Sequence, residues 1–473
     1  MTSPETSAEP FARFKARLQQ CEPSQEHLLQ FWPQLSPQQQ QSFAAEMEAL
    51  DLAELTKLYR GHDDAPDWTA LAQRAQSPPA IRLQGENPIR QDAARAAGEQ
   101  LLRDGRVGMI LVAGGQGTRL GFPHPKGMFP IGPVSGRTLF QVIIEQLLAV
   151  GRRFGRSIPL YLMTSSATHD ETVTFLNQHA RFGMREEDLI VFCQGSMPAL
   201  DAATGRLLLD EPGKLSLSPD GHGGMLAAFA KGGALQHAKA RGITQIFYGQ
   251  VDNPLLQVCS PELLGYHTLA ASEMTTQVVR KRHPLERVGN VVSIDGRVQI
   301  IEYSDLPESA AKQTNPDGTL RLWAGNLAVH VFAFAFLERA ASAADSLPFH
   351  RARKKVPYVD PQGQRIDPAQ PNGLKFERFI FDLLPQARNA LVVEADPAEA
   401  FAPVKNADGE PTDSPTTAKA AMVALHRRWL GEAGITVGDG VAVELSPFVA
   451  LDAEELRTKG LSRSAVTRAT FFQ

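Results

Sequence analysis

Short apolar runs separated by longer amphipathic stretches recur from about residue 104. VGMILVA (107–113), IPLYLMTS (158–165), LIVFCQG (189–195) and ITQIFYGQVDN (243–253) each hold a compact apolar core. Continuous apolar runs of this length read as strands buried on both faces of a parallel sheet. Between them, TLFQVIIEQLLAVGRRFG (138–155) and GGMLAAFAKGGALQHAKARG (223–242) are long enough for crossover helices. Strand, helix and strand at this spacing predict a doubly wound α/β sheet.

The flanks read differently. Over residues 1–100, FARFKARLQQ and FAAEMEALDLAELTKLYR place apolar residues at helical spacing, so a helical N-terminal region is expected there. The α/β pattern occupies 101–390. After residue 275 it turns mixed: TTQVVR (275–280) looks extended, VSIDGRVQIIEYSD (292–305) predicts a hairpin around Asp295–Gly296, and LAVHVFAF (327–334) predicts a further strand. Residues 391–473 alternate loops with short apolar runs and are expected to form a small C-terminal domain.

Composition narrows the class. At 473 residues the chain is long enough for two or three folding units. Its 43% apolar and 21% charged residues are those of an ordinary soluble protein. A formal net charge of −4 argues against a nucleic-acid or membrane footprint, so any bound anion must be held by local charges. The three cysteines, Cys21, Cys193 and Cys259, are too few and too scattered for a disulfide framework or a zinc cluster. No apolar run reaches membrane-span length, and MTSPETSAEP has no leader-like apolar stretch. The expected setting is the cytoplasm.

Open α/β sheets bind ligands outside the carboxyl ends of their strands. Here those ends carry Gly114-Gly115-Gln116-Gly117-Thr118-Arg119, Thr164-Ser165, Gln194-Gly195 and Asp252-Asn253. In LVAGGQGTRLGFPHPK (111–126), four glycines fall within eight residues, followed by Arg119 and Lys126. Bare backbone lets amide N–H groups converge on an anion, and the two cations add full charge. A plain tight turn is the alternative for an isolated glycine pair; the buried strand before it and the cations after it favour phosphate. The dinucleotide spacing G-x-G-x-x-G fails, because Leu120 stands where the third glycine would fall from Gly115. The Walker pattern fails too, because Gly127 follows Lys126. SPDGHGG (218–224) repeats the glycine-before-helix theme; Ser218 or Asp220 serves as an N-cap there, and His222 between glycines faces a ligand or the surface. Asp252, ending a buried strand, suits Mg²⁺ shared with phosphate, or else caps a turn.

At these residues the chain resembles the UDP-sugar pyrophosphorylases, and within them the UDP-N-acetylhexosamine (UDP-GlcNAc) pyrophosphorylases most. LVAGGQGTRLGFPHPKG carries the likeness, which continues through VFCQGSMPALD, LSLSPDGHGG, VDNPL, IIEYSDL, AGNLAVH, PNGLKFERFIFDLL and FAPVKNADG, over roughly residues 85–450. The resemblance implies a Rossmann-like mixed sheet, with 101–390 as a nucleotidyltransferase domain. It implies UTP and a sugar 1-phosphate as substrates, with UDP-sugar and pyrophosphate as products, and Mg²⁺ as cofactor. By matching position it implies that Val112, Ala113, Gly114, Gly115, Gln194 and Gly221 hold the nucleotide. Arg119, Lys126, Lys375 and Lys405 would hold the phosphates, Asp252 the metal, and His222, Gly289, Glu302, Tyr303 and Asn326 the sugar. From the residues alone, Glu302, Tyr303, Asn326, Lys375 and Lys405 read as ordinary surface groups.

The reaction so implied is attack of a sugar-phosphate oxygen on the α-phosphorus of UTP. A phosphate monoester is already an anionic nucleophile, so positioning and fixed positive charge are expected to do the catalysis. The acetylhexosamine enzymes commonly carry asparagine where this chain has His222, and a histidine there resembles the UDP-glucose and broad-range enzymes. N-acetylglucosamine 1-phosphate is the expected sugar, with glucose 1-phosphate or a broad range as the alternative. A non-catalytic sugar-nucleotide binder is the alternative from a different class. The expected assembly is a monomer or a weak homo-oligomer.

Overall fold

The computed structural model describes residues 5–61, 67–343, 347–461 and 465–473, with side chains from residue 11 onward. The first four residues of the polar N-terminus lie outside the described residues. Two compact units interleave along the chain. The larger comprises Trp68–Gln194, Met225–Ser346 and Phe381–Gln473; the smaller comprises Met1–Asp67, Gly195–Gly224 and Leu347–Ile380. The consecutive segments 1–100, 101–390 and 391–473 expected from sequence divide the chain differently. The N-terminal helical region contributes to both units, and the C-terminal segment stays with the larger one.

The larger unit is built on a nine-stranded mixed sheet. Its strands are β1 (Val107–Val112), β2 (Leu160–Thr164), β3 (Leu189–Cys193), β4 (Gln245–Gln250), β5 (Met274–Arg280), β6 (Asn290–Ile294), β7 (Arg297–Ile301), β8 (Ala324–Ala333) and β9 (Ala390–Glu394). They lie in the order β7-β6-β8-β4-β1-β2-β3, with β5 also on β8 and β9 on β5. β1 runs parallel to β2 and β4, and β2 to β3. β8 is antiparallel to both β4 and β5.

The apolar runs explain this core. Met109, Ile110 and Leu111 of β1 are fully buried, and Ile110 stands between Tyr161 and Tyr248 of its neighbours. The helix Leu139–Phe154 crosses from β1 to β2. Thr138 caps its start by accepting from the Gln141 N–H, and Gly155, at φ 68°, ends it in the left-handed conformation that an L side chain resists. Its buried face includes Phe140, Ile143, Ile144 and Leu147, each stabilising the fold by about 1.5–3 kcal/mol. Cutting Ile143 to alanine is expected to cost about 2–5 kcal/mol.

The expected hairpin is present: Asp295 and Gly296 take φ 51° and 77° between β6 and β7. The single crossover helix expected over 223–242 is instead broken in two, Met225–Lys231 and Ala234–Ala240. Gly233 takes φ 76° between them, a turn that the Gly232-Gly233 pair permits and most sequences would not. Toward the C-terminus, the helix Pro415–Glu432 leads into a separate apolar cluster of Leu430, Ile435, Val443, Leu445, Leu456 and Phe472. This cluster is a local core within the larger unit.

The smaller unit joins the helices Glu5–Gln19, Pro37–Glu48 and Leu52–Arg60 to a three-stranded sheet of Phe349–Lys354, Gly373–Arg378 and Leu200–Asp201. Phe14, Trp32, Phe43, Leu374 and Phe376 form its core. Among the described residues no helix is long and apolar enough to cross a membrane.

Candidate functional site

Chain order places the site. From β1 the chain moves outward to β2 and β3, then returns to lay β4 on the other side of β1. The crevice between β1 and β4 is therefore the switch point at which such sheets bind ligands. Val112 pairs with Gln250, and the Val251 N–H donates to the Val112 carbonyl at 3.0 Å. Val112 and the buried Ala113 thus carry the glycine loop away from the sheet at the same level at which β4 releases Asp252.

The loop glycines have separate reasons to be bare. A Cβ on Gly117 would lie 2.8 Å from both the ring and the carbonyl of Phe122, so the turn itself forbids one. Gly121 takes φ 69°. A Cβ on Gly114 would stand 3.1 Å from Gln194 Oε1 and 3.4 Å from Ser165, whose hydroxyl donates to the Gly114 carbonyl at 2.7 Å. Gly115 is different: a Cβ there would meet nothing within 4 Å. Folding gives no reason for its bareness, and a ligand drawn close to its backbone does.

Gln194 closes one side of this space. Only 7% exposed, its side-chain amide makes no hydrogen bond to any described residue. The amide is left open toward this space, so a ligand can take the hydrogen bonds that no described residue makes.

The loop folds back on itself, with the Gly117 N–H donating to the His124 carbonyl at 2.8 Å and the Lys126 N–H to the Gly115 carbonyl at 3.0 Å. Lys126 is thereby turned into the crevice, its Nζ 3.6 Å from Asp252 Oδ2. The Val404 N–H donates to the Asp252 carbonyl at 2.8 Å, which brings Lys405 to the same strand end. Asn253 secures that segment, donating to the Ala400 carbonyl at 2.7 Å and accepting from the Ala402 N–H at 3.0 Å. Burial raises the Asp413 carboxyl above the usual range, against the opposing pull of Lys405 and Arg282. Arg119 is exposed on the turn Thr118–Leu120 and makes no ion pair or hydrogen bond with a described side chain. Lys126, Lys405 and Asp252 thus meet at one strand end, while Arg119 stands exposed on the turn that follows the glycine loop. Among the described residues no three His, Cys, Asp or Glu side chains gather to hold a metal by themselves. Asp252 fits Mg²⁺, which takes one or two carboxylates and draws its remaining ligands from phosphate and water.

A second group lies where β6 begins, β7 ends and β8 begins. The Asn326 N–H donates to the Gly289 carbonyl at 2.8 Å, and a Cβ on Gly289 would stand 2.9 Å from Glu302 Oε1. Asn326 Oδ1 accepts from the Ala328 N–H at 3.0 Å, which leaves its NH₂ end as the donor. Tyr303 is 49% exposed beside them. Lys281, which the sequence reading passed over, is buried here and donates to Asn290 Oδ1 at 2.6 Å. Burial lowers its pKa to about 8, against the pull of Glu286.

Gly221, His222 and Lys375 belong to the smaller unit. Gly221, at φ 84°, lies so close to the Arg378 backbone that no side chain would fit. His222 stacks on Phe379 at 5.3 Å, and its Nδ1 accepts from the Ile380 N–H at 3.3 Å. Desolvation, reinforced by His350, lowers its pKa to about 4. Lys375 is half-buried on the strand Gly373–Arg378, opposite Ala352.

The larger unit therefore gathers Gly114, Gly115, Lys126, Gln194, Asp252 and Lys405, and separately Gly289, Glu302 and Asn326. Sequence reasoning placed Asn253 at a strand end without its tie to Ala400 and Ala402, and missed Asp413. Asn253 was readable only as a turn residue, and Asp413 sits in a polar loop with nothing local to mark it.

A switch-point crevice with an open amide loop, cations and one carboxylate defines a nucleotide-binding α/β protein. The chain belongs to the UTP–glucose-1-phosphate uridylyltransferase family, whose profile matches residues 66–458. It is 36% identical over 366 residues to the UDP-N-acetylglucosamine pyrophosphorylase of Saccharomyces cerevisiae, covering 76% of this chain and 77% of that one. It is 34% identical over 475 residues to the UDP-N-acetylhexosamine pyrophosphorylase-like protein 1 of Homo sapiens, covering 93% of each. Among solved structures, the uridine diphosphate N-acetylglucosamine pyrophosphorylase of Trypanosoma brucei superposes with a TM-score of 0.82 at 25% identity, covering 98% of each chain.

Proposed function

We propose that the protein is a uridylyltransferase that joins UTP to N-acetylglucosamine 1-phosphate, releasing pyrophosphate. The family assignment and the names of its relatives support the reaction class and the sugar. The observation that carries the reading to this chain is the Gln194 amide, bonded to no described residue, beside the open backbone of Gly115. An amide there can pair with the edge of a uracil while the loop amides take the phosphates.

In this reading an oxygen of the sugar phosphate attacks the α-phosphorus of UTP. The new P–O bond forms as the bond to the β-phosphate bridging oxygen breaks, and that oxygen leaves with pyrophosphate. No proton need be removed from the nucleophile. The obstacle is the repulsion of two polyanions, and Arg119, Lys126, Lys375 and Lys405 supply opposing charge. Asp252 would hold magnesium, which when bound neutralises phosphate oxygens. Glu302 accepts from sugar hydroxyls and Asn326 donates to them, with the Gly289 backbone and Tyr303 beside them; in the smaller unit His222 is the candidate sugar contact. Val112, Ala113, Gly114 and Gly221 flank the nucleotide. The cysteines are free thiols, in keeping with a cytoplasmic setting, and a monomer or weak homo-oligomer suffices for this chemistry.

The test is pyrophosphate release from UTP with magnesium and a panel of N-acetylglucosamine, N-acetylgalactosamine, glucose and galactose 1-phosphates. Highest kcat/KM with N-acetylglucosamine 1-phosphate supports the proposal. A glucose 1-phosphate optimum overturns the sugar, and no release with any of the four overturns the reaction.

A further inference from the structure

Within the larger unit lies a second space, a cavity of about 1040 Å³. Gly114, Gly115, Lys126, Asp252 and Lys405 are not among its lining residues. Its walls come from the helices Gln91–Arg103, Leu139–Phe154, Pro261–Leu269 and Pro415–Glu432 and from strands β5 and β9. Val142, Val150, Leu256, Met422, Leu425 and Trp429 are among its apolar contacts. Protein interiors close-pack, and natural voids are few and small. An opening of this size with apolar walls matches the upper range of small-molecule sites.

Two polar groups are open toward this space. Gln277, on β5, borders the cavity and is 6% exposed, and its side-chain amide hydrogen-bonds no described residue. Tyr266 also borders it, is 7% exposed, and its hydroxyl likewise has no partner among the described residues. Both therefore face the cavity with hydrogen-bonding capacity that no described residue uses, open to water or to an occupant.

The charges select the occupant. Nine carboxylates line the cavity against five arginines. Each arginine is already paired: Arg82 with Glu394 at 2.7 Å, Arg90 with Asp92 at 2.6 Å, Arg95 with Glu454 at 3.1 Å, Arg153 with Asp452 at 2.6 Å, and Arg137 with Glu145. Burial pushes the carboxyls of Glu145 and Glu399 up, so further negative charge is unwelcome. The buried His426 is held neutral, its pKa near 4. A nucleotide or other phosphate therefore finds no free cation here.

We propose that this cavity is a binding site for an uncharged aromatic amphiphile carrying a hydrogen-bond donor, separate from the substrate crevice. Its aromatic body fills the space between Val142, Val150 and Trp429, and its donor meets Gln277. The cavity also abuts the segments that secure Asp252. Pro254, Leu255 and Leu256 form part of its wall directly after Asn253, and Asp396 and Glu399 belong to the stretch that Asn253 ties down.

The probe is N-phenyl-1-naphthylamine, titrated into the full chain and followed by its own fluorescence. Saturation at one probe per chain, undisturbed by saturating UTP, is expected. Its anionic analogue 1-anilinonaphthalene-8-sulfonate should bind at least about tenfold more weakly, because its sulfonate meets only carboxylates and paired arginines. The carbon isostere 1-benzylnaphthalene should compete about fivefold less well than the amine, the scale of one net hydrogen bond, and Gln277→Leu should erase that preference. The double variant Val142→Phe, Val150→Phe fills the space and should abolish binding. If that variant does not fold, Gln277→Leu still decides, since it removes no hydrogen bond to a described residue and its melting temperature should hold. No saturable binding, displacement by UTP, equal affinity for the sulfonate, or an isostere preference unchanged in Gln277→Leu would each overturn the proposal.

Discussion

Gly115 offers the sharpest separation of binding from folding. Its would-be Cβ has no neighbour within 4 Å, and its backbone lies outside the left-handed region. Gly115→Ala should therefore leave the fold intact, and by restricting the unfolded chain it should add about 0.4–1 kcal/mol of stability. The new methyl would stand over the amides that the proposed mechanism aims at UTP phosphate. One displaced charge-assisted hydrogen bond is worth about 1.5–3 kcal/mol, so kcat/KM for UTP should fall by about 10- to 150-fold. Gly117→Ala is the contrasting change. Its Cβ would press to 2.8 Å against the Phe122 carbonyl, which as backbone cannot move aside cheaply, so about 1–3 kcal/mol of stability should be lost.

Urea denaturation and initial rates of pyrophosphate release across a UTP series measure both quantities. Stable, weakened Gly115→Ala beside unstable Gly117→Ala would support the assignment. A Gly115→Ala enzyme with unchanged kcat/KM for UTP would refute it, since the open face of the loop would then meet no substrate.

Lys126→Met should lower kcat by about 10²- to 10³-fold, the loss seen when one donor to developing charge is removed; turnover within about threefold of wild type, measured at saturating substrate, would contradict the charge argument. Gln194→Leu should leave the melting temperature unchanged, because no hydrogen bond to a described residue is removed, while the UTP-over-CTP ratio of kcat/KM falls about tenfold. An unaltered ratio would remove Gln194 from the base site. Acid sensitivity follows from His267, 1% exposed, whose pKa burial lowers from 6.5 to about 3. Between those values the unfolded state binds the extra proton, so stability is complete above the unfolded pKa and falls as pH drops, by about 1.4 kcal/mol per unit for each such group. His267→Gln should flatten that slope in urea melts between pH 7 and 4.5, and an identical slope would refute the assignment.

How far the sequence foretold this arrangement depends on the range of the interaction. β1, β2 and β4 were readable because each is a continuous apolar run buried on both faces; β3 shares the apolar run but forms the sheet edge, where only Phe192 is buried. Asp295–Gly296 was readable because a two-residue turn requires positive φ at both positions. Gly232-Gly233 stood in plain view, yet the helical periodicity on either side masked the break. The tie of Asn253 could not be read, because its partners, Ala400 and Ala402, are remote in the chain. The interleaved units were hidden for the same reason: the strand Gly373–Arg378 of the smaller unit pairs with Leu200–Asp201. Gln277 and Tyr266 were invisible as site residues because the cavity they line is assembled from helices and strands remote in the chain.

His222 joins the question of charge to the question of the sugar. Its Nδ1 is occupied as an acceptor by the Ile380 N–H, which puts the ring proton on Nε2 and makes that nitrogen a donor. A pKa near 4 keeps the ring neutral throughout the range in which sugar phosphates are dianions. It therefore adds nothing to the positive charge that offsets substrate repulsion, and in the proposed mechanism that task falls to Arg119, Lys126, Lys375, Lys405 and the magnesium that Asp252 would hold. What a neutral Nε2–H retains is half the capacity of an asparagine amide, the donating half. An acetamido carbonyl needs only a donor, so histidine at this position does not by itself exclude N-acetylglucosamine 1-phosphate. A sugar hydroxyl can accept the same bond, so the residue separates the two sugars weakly. Stronger discrimination must come from how Gly289, Glu302 and Asn326 fill the space around the second carbon.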